Sequence, residues 1–541
     1  MVGGSFSYVC PLYLTMHTKA TRLSYQETGY FSKIVLDYLK GDEKLKPFYP
    51  HEVSVKGIRN AIKEREPFNT NRKLLVERLK AHYSGMVLTG KLKANIDNLL
   101  SADTFTITTA HQPNIFTGHL YFVYKILHAI KLADELSRSI PENKFVPVFY
   151  MGSEDADLEE LGQVHLFGEK YEWHTDQKGA VGRMRVDKAL LAIMEKMSGQ
   201  LLVLQYGGEL IQLMKECYQL NDTIENATIK LINSLFGEFG LVVLLPDDAD
   251  LKREFLPIVR KELNETLSNS AVQETVDAFP DEYKVQAAGR EINLFLLKDD
   301  QRERVEIKSK DDLRSFIEEF SEFPERISPN VILRPVFQEM ILPNVAFIGG
   351  GGEIAYWLEL KRVFEAAEVP FPVLVLRNSF MIIDEVLETL MNKLKFSSKE
   401  IFKSEKELMN ELVKRDSNVS LTLDSEKQAI ERSFEEAKQA AANVDVSLLK
   451  HVDALKTKAL KKIEALEKKM LKAERKKFVA QQRQLQKLRS QLFPTNGLQE
   501  RVENFMPYYA KYGPAFFEEL YGASLSLEQE FSVINLAQPS H

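Results

Sequence analysis

The segment at residues 104–125 most constrains how this chain can fold. Its first residues alternate β-branched and polar side chains, which is typical of a short strand. A loop with Pro113 and Gly118 follows, and apolar residues then recur at spacings of three and four, as in a helix that packs on one face. A strand, a tight loop and a helix whose first amides face that loop form a cradle for an anion. The segment therefore predicts the start of a nucleotide-handling, Rossmann-like core.

Other short apolar runs predict the rest of a parallel sheet, because each is continuous, ends in turn or acidic residues and is separated from the next by helical stretches. These runs are 144–151, 241–245, 345–348 and 371–376. Together they predict an α/β fold with a doubly wound, Rossmann-like parallel sheet. The carboxyl ends of parallel strands share one rim, so we expect His111, Glu154, Asp247, Gly349 and Arg377 to converge there.

Two stretches are too long for simple crossovers, residues 162–235 and 265–343, and we interpret them as connecting inserts on the functional edge of the sheet. The second contains two β-rich runs, 291–297 and 303–307, which predict a hairpin. The predicted domains are the core at 1–161, 236–264 and 344–383, the two inserts, a helical arm at 384–498, and a C-terminal segment at 499–541 that docks on the core.

The composition changes after residue 384, and neither Gly nor Pro occurs from 405 to 493. Apolar residues recur there at spacings of three and four, with a change of register near Phe478, which is typical of a coiled coil. A turn near Asn443 would produce a long antiparallel α-helical arm. The expected seam residues are Ile430, Phe434, Ala437, Ala441, Val444, Ala459, Ile463, Leu466, Met470 and Ala473, and, after the change of register, Leu485, Leu488 and Leu492.

The composition also limits the class of protein. A hydrophobic content of 44% and a charged content of 28% are typical of a soluble globular protein, and a net charge of -7 argues against a global nucleic-acid-binding role. Cys10 and Cys217 cannot build a disulfide framework, so we expect a reducing cytoplasm. No apolar run approaches the roughly 20 residues that span a bilayer, so no membrane partner is expected.

Three carboxylates, Glu154, Asp155 and Asp157, follow the second predicted strand. They could bind a substrate amine, hold Mg²⁺ or act as a base. The alternative is a helix N-terminus, which favours acids without any catalytic role. Cys-x-x-Cys and His-x-x-x-His spacings are absent, so we expect no dedicated metal site.

His111 and His119 flank the loop of the opening segment and could stabilise charge on a transferring phosphoryl group. A structural role for each histidine is the alternative. Lys125 could contact a phosphate or could be an outward helix charge. The four glycines at 349–352 match no dinucleotide fingerprint, but they let backbone amides approach a substrate closely or simply permit a turn.

Taken together, these motifs resemble the BshC family of bacillithiol biosynthesis, whose members are proposed cysteine ligases. The resemblance covers nearly the whole chain and rests on residues 109–121 with Lys125, 152–157, 290–295, 324–335 with Gln338, 349–357, 499–501 and 512–513. It implies a Rossmann-like core with inserts, a coiled coil that forms a homodimer, and attachment of cysteine to glucosaminyl-malate in the last step of bacillithiol synthesis.

The sequence departs from the family pattern at four positions. Ala110 stands where the family usually has Gly, His111 where it has Gln, Ala156 where it has His between the acids, and His119 where Pro is usual. These departures weaken any mechanism that depends on one histidine position. Residues 117–119 also resemble a fragment of the His-x-Gly-His signature of class I nucleotidyl transferases.

The resemblance implies amide formation between a cysteine carboxylate and a sugar amine, with ATP, and with or without Mg²⁺, forming an acyl adenylate or acyl phosphate. We expect His111, His119, Glu154, Asp155 and Asp157 to be catalytic, and Arg334 and Arg377 to clamp the malate carboxylates. The expected binding residues are Gln112, Thr117, Gly118, Lys125, Arg334, Gly349, Gly350, Gly351, Glu353, Tyr356, Trp357, Arg377, Ser379, Asn504, Tyr509 and Tyr512. A second placement puts the nucleotide at the junction of arm and core, around the last three of these.

Two other functions fit the sequence. One is a class I-like amino-acid ligase or nucleotidyl transferase that uses another amine acceptor. The other is a non-catalytic dimeric scaffold whose basic limb, residues 450–489, holds an acidic partner such as RNA. The acidic net charge and the crowded sheet rim favour an enzyme, whereas strong, salt-sensitive binding to nucleic acid would favour the scaffold.

Overall fold

A computed structural model describes residues 19–287, 289–298 and 300–536. Its strands are β1 (Lys19–Leu23), β2 (Thr104–His111), β3 (Lys144–Met151), β4 (Gln163–Leu166), β5 (Glu169–Glu172), β6 (Val242–Leu244), β7 (Leu294–Lys298), β8 (Gln301–Arg304), β9 (Ile327–Pro329), β10 (Asn344–Gly349), β11 (Val373–Leu376), β12 (Phe380–Asp384) and β13 (Phe531–Leu536).

The helices before residue 280 are α1 (Tyr25–Thr28), α2 (Lys33–Lys40), α3 (Val55–Arg65), α4 (Arg72–His82), α5 (Gly90–Asn98), α6 (Leu120–Ser139), α7 (Leu158–Leu161), α8 (Lys188–Leu201), α9 (Gly207–Cys217), α10 (Ile224–Phe236), α11 (Ala249–Glu265) and α12 (Leu267–Ala278). The later helices are α13 (Lys310–Glu322), α14 (Leu333–Ile341), α15 (Gly351–Leu358), α16 (Lys361–Ala367), α17 (Glu385–Leu394), α18 (Glu405–Asp416), α19 (Asp424–Ala442), α20 (Leu449–Arg475), α21 (Val479–Leu492), α22 (Met506–Tyr512) and α23 (Ala515–Ala523).

The described residues divide into two units. Residues 19–382 and 497–536 form the first unit, and residues 383–496 form the second. Among the residues that the structure describes, no helix has both the length and the apolar character needed to cross a membrane.

The first unit is built around a parallel sheet of five strands in the order β11-β10-β2-β3-β6. These are the five strands predicted from the apolar runs, so the parallel sheet is confirmed. Numbered along the chain, their order in space is 5-4-1-2-3, the Rossmann arrangement. The order reverses between β2 and β10, and ligands bind in the crevice at such a point.

Helices α3 and α6 cover one face of the sheet, because their apolar stripes match the buried side chains of β2, β10 and β11. Ile58 and Ile62 of α3 and Leu132 of α6 pack with Ile107 and Val375 in one hydrophobic cluster. The helix predicted after Gly118 is thus confirmed as α6, and it fixes the loop after β2 at the edge of the crevice.

Between β6 and β10, strands β7, β8 and β9 form a small antiparallel sheet in the order β8-β7-β9. The predicted hairpin is confirmed as β7 and β8, although β8 spans Gln301–Arg304 rather than 303–307. Of the two residues expected to separate the strands, Asp299 lies outside the described residues. A second small sheet, in the order β1-β13-β12, joins the first described strand to the last.

The second unit consists of α17 to α21. Lys427 of α19 forms an ion pair with Glu467 of α20, and Lys438 of α19 forms one with Asp453 of α20. The later residue of α19 thus pairs with the earlier residue of α20. The register change predicted near Phe478 is a break between α20 and α21. Four of the predicted seam residues, Ala437, Val444, Leu466 and Ala473, are instead exposed, since two helices alone cannot enclose every apolar side chain. Leu485, Leu488 and Leu492 of α21 are buried.

Candidate active site

A cavity of about 620 Å³ opens at the carboxyl ends of all five parallel strands. Its lining includes His111 at the end of β2, Glu154 after β3, Pro246 after β6, Gly350 after β10 and Arg377 after β11. The predicted convergence on one rim therefore takes place, with Asp247 and Gly349 adjoining the lining residues in sequence. The topology alone brings residues more than 200 positions apart into one site.

The lining is strongly cationic. Among the described lining residues, three acids face seven cations, which are Lys125, Arg290, Arg302, Arg304, Arg334, Arg377 and Arg501. The Arg302 guanidinium lies 4.1 Å from the centre of the Phe295 ring, and its Nε donates to Ser328 Oγ at 3.1 Å. Such a wall favours a ligand with several carboxylates or phosphates, because guanidinium groups bind these anions in fixed geometries.

His111 is oriented by a chain of hydrogen bonds. Its Nδ1 lies 2.6 Å from Oε1 of Gln112, and Nε2 of Gln112 donates to Oδ2 of Asp155 at 3.1 Å. Because an amide oxygen only accepts, Nδ1 of His111 carries the proton and Nε2 is left as an acceptor. Burial, and secondarily the charge of Lys125, lowers the pKa of His111 well below its usual value, so the ring is neutral. A neutral ring whose Nε2 accepts cannot stabilise charge on a transferring phosphoryl group, which was one of the roles expected for His111.

Lys125 and Glu353 form an ion pair at the start of α15. Lys125 Nζ also donates to the Ala110 carbonyl at 2.8 Å, and Glu353 Oε2 accepts from the Gly350 amide at 2.8 Å. Burial lowers the pKa of Lys125, against the opposing effect of Glu353. The glycine segment is thereby held at the rim with Gly350, Gly351 and Gly352 all facing the cavity.

Glu154 belongs to a buried chain of charges behind the cavity wall. It forms an ion pair with Lys252, whose Nζ also contacts Asp247 Oδ1 at 2.6 Å. Arg183 binds the same aspartate through two nitrogens at 2.6 and 2.7 Å. Burial raises the pKa of Glu154 against the opposing charge of Lys252. Burial also acts to raise the pKa of Asp247, but Lys252 and Arg183 together lower it to about 2.

Arg377 is bound by Glu500 rather than left free. Its two terminal nitrogens donate to the Glu500 carboxylate at 3.0 and 2.8 Å, and both side chains are buried. Its guanidinium carbon lies 5.1 Å from the centre of the Tyr121 ring. A guanidinium committed to a buried carboxylate supports the wall of the cavity and has little capacity left to clamp a substrate carboxylate.

The structure brings together about half of the predicted site residues. Those that line the cavity are His111, Gln112, Lys125, Glu154, Asp155, Arg334, Gly350, Gly351, Glu353, Tyr356 and Arg377. The other predicted site residues are not among the described residues that line the cavity: they are Thr117, Gly118, His119, Asp157, Gly349, Trp357, Ser379, Asn504, Tyr509 and Tyr512.

The anion cradle expected at the start of α6 is closed by the chain itself. The Leu120 amide donates to the Glu503 carbonyl at 2.7 Å, and the Nδ1 atom of His119 lies 3.2 Å from the Val502 carbonyl. Asn504 donates to the Phe116 carbonyl at 2.9 Å. Gly118, at a φ of 66°, leaves no room for a Cβ against Asn114. Backbone carbonyls therefore occupy the positions that a phosphate would need.

Four other predicted residues make structural contacts. Asp157 is exposed and caps α7 by accepting from the Glu160 amide at 3.1 Å. The Trp357 ring stacks on Phe347 with centroids 4.4 Å apart. Ser379 accepts from Arg377 at 3.0 Å, and the Tyr509 hydroxyl lies 3.1 Å from Glu209.

Sequence reasoning missed Lys252 and Arg302. Lys252 lies in the first turn of the helix that follows β6, as Lys125 lies near the start of the helix that follows β2. The same topological argument could have found it. Nothing local in the sequence distinguishes Arg302 from the exposed arginines around it. Within the described part of the chain, no group of three or more His, Cys, Asp and Glu side chains is arranged to hold a metal ion.

Comparison with known families identifies the architecture. The family model described as "Bacillithiol biosynthesis BshC, N-terminal Rossmann-like domain" matches residues 16–378, and that described as "Bacillithiol biosynthesis BshC, C-terminal coiled-coil domain" matches residues 380–536. The chain belongs to the BshC family. The BshC resemblance, the Rossmann-like domain and the C-terminal coiled-coil domain predicted from the sequence are thereby confirmed.

Curated BshC relatives extend over almost the same length. Proteins named "Putative cysteine ligase BshC" from Flavobacterium johnsoniae and Flavobacterium psychrophilum are both 38% identical, over 529 and 528 residues. A protein of the same name from Christiangramia forsetii is 36% identical over 537 residues. Each comparison covers 95% of this chain and 99% of the relative.

Proposed function

We propose that this BshC-family protein is a carbon–nitrogen ligase that joins cysteine to glucosaminyl-malate and so completes bacillithiol. The observation that carries the proposal is the cavity at the Rossmann rim, where Glu154 and Asp155 lie beside an arginine-rich wall. An acceptor that bears both an amine and two carboxylates is complementary to this arrangement. The curated relatives are named putative cysteine ligases, which supports a ligase that acts on cysteine.

The acceptor carboxylates would bind the wall formed by Arg334 of α14 and Arg302 of β8, with Arg290 and Arg304 nearby. We prefer these residues to Arg377 as the carboxylate clamp, because Glu500 already binds Arg377 in a bidentate manner. Arg334 donates to the Tyr356 hydroxyl at 3.2 Å, which fixes its guanidinium at the wall. The malate part would thus be held by the second insert, which contains all four of these arginines.

The reacting amine would lie near Glu154 and Asp155, which attract it as an ammonium group. The ammonium group must first lose one proton to water, which frees the lone pair of its nitrogen, and the nitrogen must lose a second proton as it bonds to the cysteine acyl carbon. His111 is the group suited to take that proton, since its Nε2 is an acceptor with no hydrogen-bond partner among the described residues. Gln112 and Asp155 keep the ring in the required tautomer.

ATP, when bound, would turn the cysteine carboxylate into an acyl adenylate or acyl phosphate and so supply the leaving group. Arg501 of the cavity lining and the amides of Gly351 and Gly352 at the start of α15 fit its phosphates. The alternative nucleotide site around Asn504, Tyr509 and Tyr512 stays a prediction, as does the participation of Mg²⁺. Locating ADP in crystals soaked with it would distinguish the two placements.

The test is direct. Purified protein incubated with cysteine, glucosaminyl-malate and ATP should form the amide product, detected by mass spectrometry, and omission of ATP should abolish it. Formation of product with glucosamine lacking malate at an equal rate would contradict the role of the arginine wall. A lack of product with glucosaminyl-malate, but product with another amine, would favour the alternative ligase.

We further propose that the coiled-coil domain is an antiparallel arm through which the protein forms a homodimer. The ion pairs between α19 and α20 support the antiparallel direction. Leu455 and Leu466 of α20 are 42% and 46% exposed, and their spacing of eleven residues puts them on one helix face, available to a second copy. We place the reaction in the cytoplasm, where a cysteine thiol stays reduced.

A further inference from the structure

The buried charges behind the cavity form a continuous chain that ends at Glu154. Arg183 anchors Asp247, Asp247 contacts Lys252, and Lys252 pairs with Glu154 at the cavity wall. The Lys252 side chain is 0% exposed and that of Glu154 is 7% exposed. A fully buried lysine is costly unless it is paired, and this one has a carboxylate on each side.

We propose that Lys252 is a positioning residue that holds Glu154 as a fixed, charged carboxylate at the cavity wall, where Glu154 receives the amine of the substrate. The inference rests on the proposed function and adds to it a residue that does not itself line the cavity. Lys252 also donates to the Glu325 carbonyl at 3.1 Å, so its ammonium group has three acceptors and little freedom to move.

The second carboxylate explains why a lysine can do this. Asp247 accepts two hydrogen bonds from Arg183 and one from Lys252, so it stays charged and holds the Lys252 ammonium group behind the cavity wall. The ammonium is therefore not free to follow Glu154 into the cavity. Although burial acts to lower it, the two carboxylates raise the pKa of Lys252, so the lysine stays protonated beside Glu154.

Several charged groups face Glu154 from the surrounding elements. They are Lys252 of α11, Asp247 before α11, Arg302 of β8 and Arg183 before α8. The Tyr150 hydroxyl of β3 also faces Glu154 but is uncharged, because burial raises its pKa well above its usual value. Glu225 of α10 faces Lys252 and Asp247, and burial raises its pKa to about 8. The nearest of the cations to Glu154 is Lys252, which is in direct contact with it. When Lys252 is removed, its opposing charge is lost, and burial and the charge of Asp247 favour the protonated form of Glu154.

The test compares Lys252→Met, Glu154→Gln and the double variant in the full-length protein. We expect Lys252→Met to lower kcat/KM about tenfold or more at neutral pH and to shift the acidic limb of its pH profile to higher pH, because Glu154 must then lose a proton. We expect the double variant to be no worse than Glu154→Gln alone, since Lys252 acts through Glu154. Lys230→Met, which removes a lysine paired with Asp222 away from the cavity, is the matched control.

Folding failure is separable from loss of positioning. If Lys252→Met does not fold, the double variant still can, because it removes both charges while Asp247 keeps Arg183. The proposal is overturned if the fold-losses in kcat/KM of the two single variants multiply in the double variant. It is also overturned if the double variant is a further tenfold less active than Glu154→Gln. A folded Lys252→Met with the wild-type pH profile overturns it as well.

The wild-type protein separates this inference from the proposed function. If it binds glucosaminyl-malate in calorimetry but does not join cysteine to it, the proposed reaction fails and the same variants are compared through the pH dependence of Kd. Weaker binding of Lys252→Met that recovers at high pH supports the positioning role, and unchanged binding overturns it. A wild-type protein that neither binds glucosaminyl-malate nor turns it over would overturn both the proposed function and the positioning role of Lys252.

Discussion

Nδ1 of His111 lies 2.6 Å from Oε1 of Gln112, and this single contact decides what the histidine can do. The amide oxygen accepts a hydrogen bond from Nδ1, which therefore carries the single proton of the neutral ring, so Nε2 accepts and cannot donate. In a neutral ring this excludes a direct hydrogen bond from Nε2 to a phosphoryl oxygen and favours proton transfer from the amine.

His111→Ala should therefore lower kcat by about 100-fold with little change in KM, because it removes an acceptor used only as the amine loses its proton. Steady-state kinetics with glucosaminyl-malate as the varied substrate measures both parameters. His174→Ala, which changes an exposed histidine, serves as control. Wild-type kcat in His111→Ala would remove the histidine from the mechanism.

Arg302→Met should raise KM for the acceptor about tenfold while kcat changes little, since a hydrogen-bonded charge contributes to binding in the ground state and transition state alike. The methionine preserves contact with the Phe295 ring. Arg59→Met removes an exposed arginine paired with Glu142 and should leave KM unchanged. Equal KM values for both variants would exclude Arg302 from acceptor binding.

Arg377→Met should destabilise the protein by about 3–5 kcal/mol, because it leaves Glu500 buried without its partner. The double variant with Glu500→Gln should regain much of this loss, as both charges are then absent. Urea unfolding followed by fluorescence measures the difference. Arg253→Met, at an exposed pair with Asp250, should stay within about 0.5 kcal/mol of wild type. A similarly small effect at Arg377 would contradict the supporting role.

Stability should fall in acid partly through His128. Its Nδ1 accepts from the Asn378 amide at 3.0 Å while Nε2 lies 2.7 Å from the Ser526 carbonyl, an arrangement that needs a neutral ring. Burial lowers the pKa of His128 to about 4. The stabilisation is complete above the unfolded pKa of about 6.5 and is lost as pH falls toward 4, because the unfolded state binds the proton first.

The loss amounts to about 3 kcal/mol over that window. His128→Gln keeps a donor and an acceptor but does not titrate, so its urea midpoint should fall less than that of the wild type between pH 7 and pH 4.5. Parallel midpoints for the two proteins would show that His128 does not contribute.

Leu455→Glu with Leu466→Glu should convert a dimer into a monomer, because both side chains lie on one exposed face of α20 and two charges there oppose burial. Size-exclusion chromatography with light scattering should give twice the mass of one chain for the wild type and the mass of one chain for the variant. Val203→Glu, at another exposed apolar residue, should stay dimeric. A monomeric wild type would end the dimer proposal.

The parallel sheet was predictable because its information is local. The apolar run at 144–151 and the strand-loop-helix around Gly118 each specify their own structure, and topology then brings the strand ends together. The partners of the site residues were not predictable. Lys252 is 98 positions from Glu154 and Glu500 is 123 from Arg377, and only tertiary packing brings them into contact. The closure of the His119 loop by residues 502–504 depends on packing in the same way.

That closure is one of several contacts between early and late parts of the described chain. β1 pairs with β13, the Glu503 carbonyl caps α6, and Arg501 completes the cavity wall. A nascent chain that has already exposed all five parallel strands still lacks this wall until residues 497–536 leave the ribosome. The rim of the early sheet therefore stays uncovered until this last segment is made, and exposed apolar surface of this kind makes folding intermediates prone to aggregation.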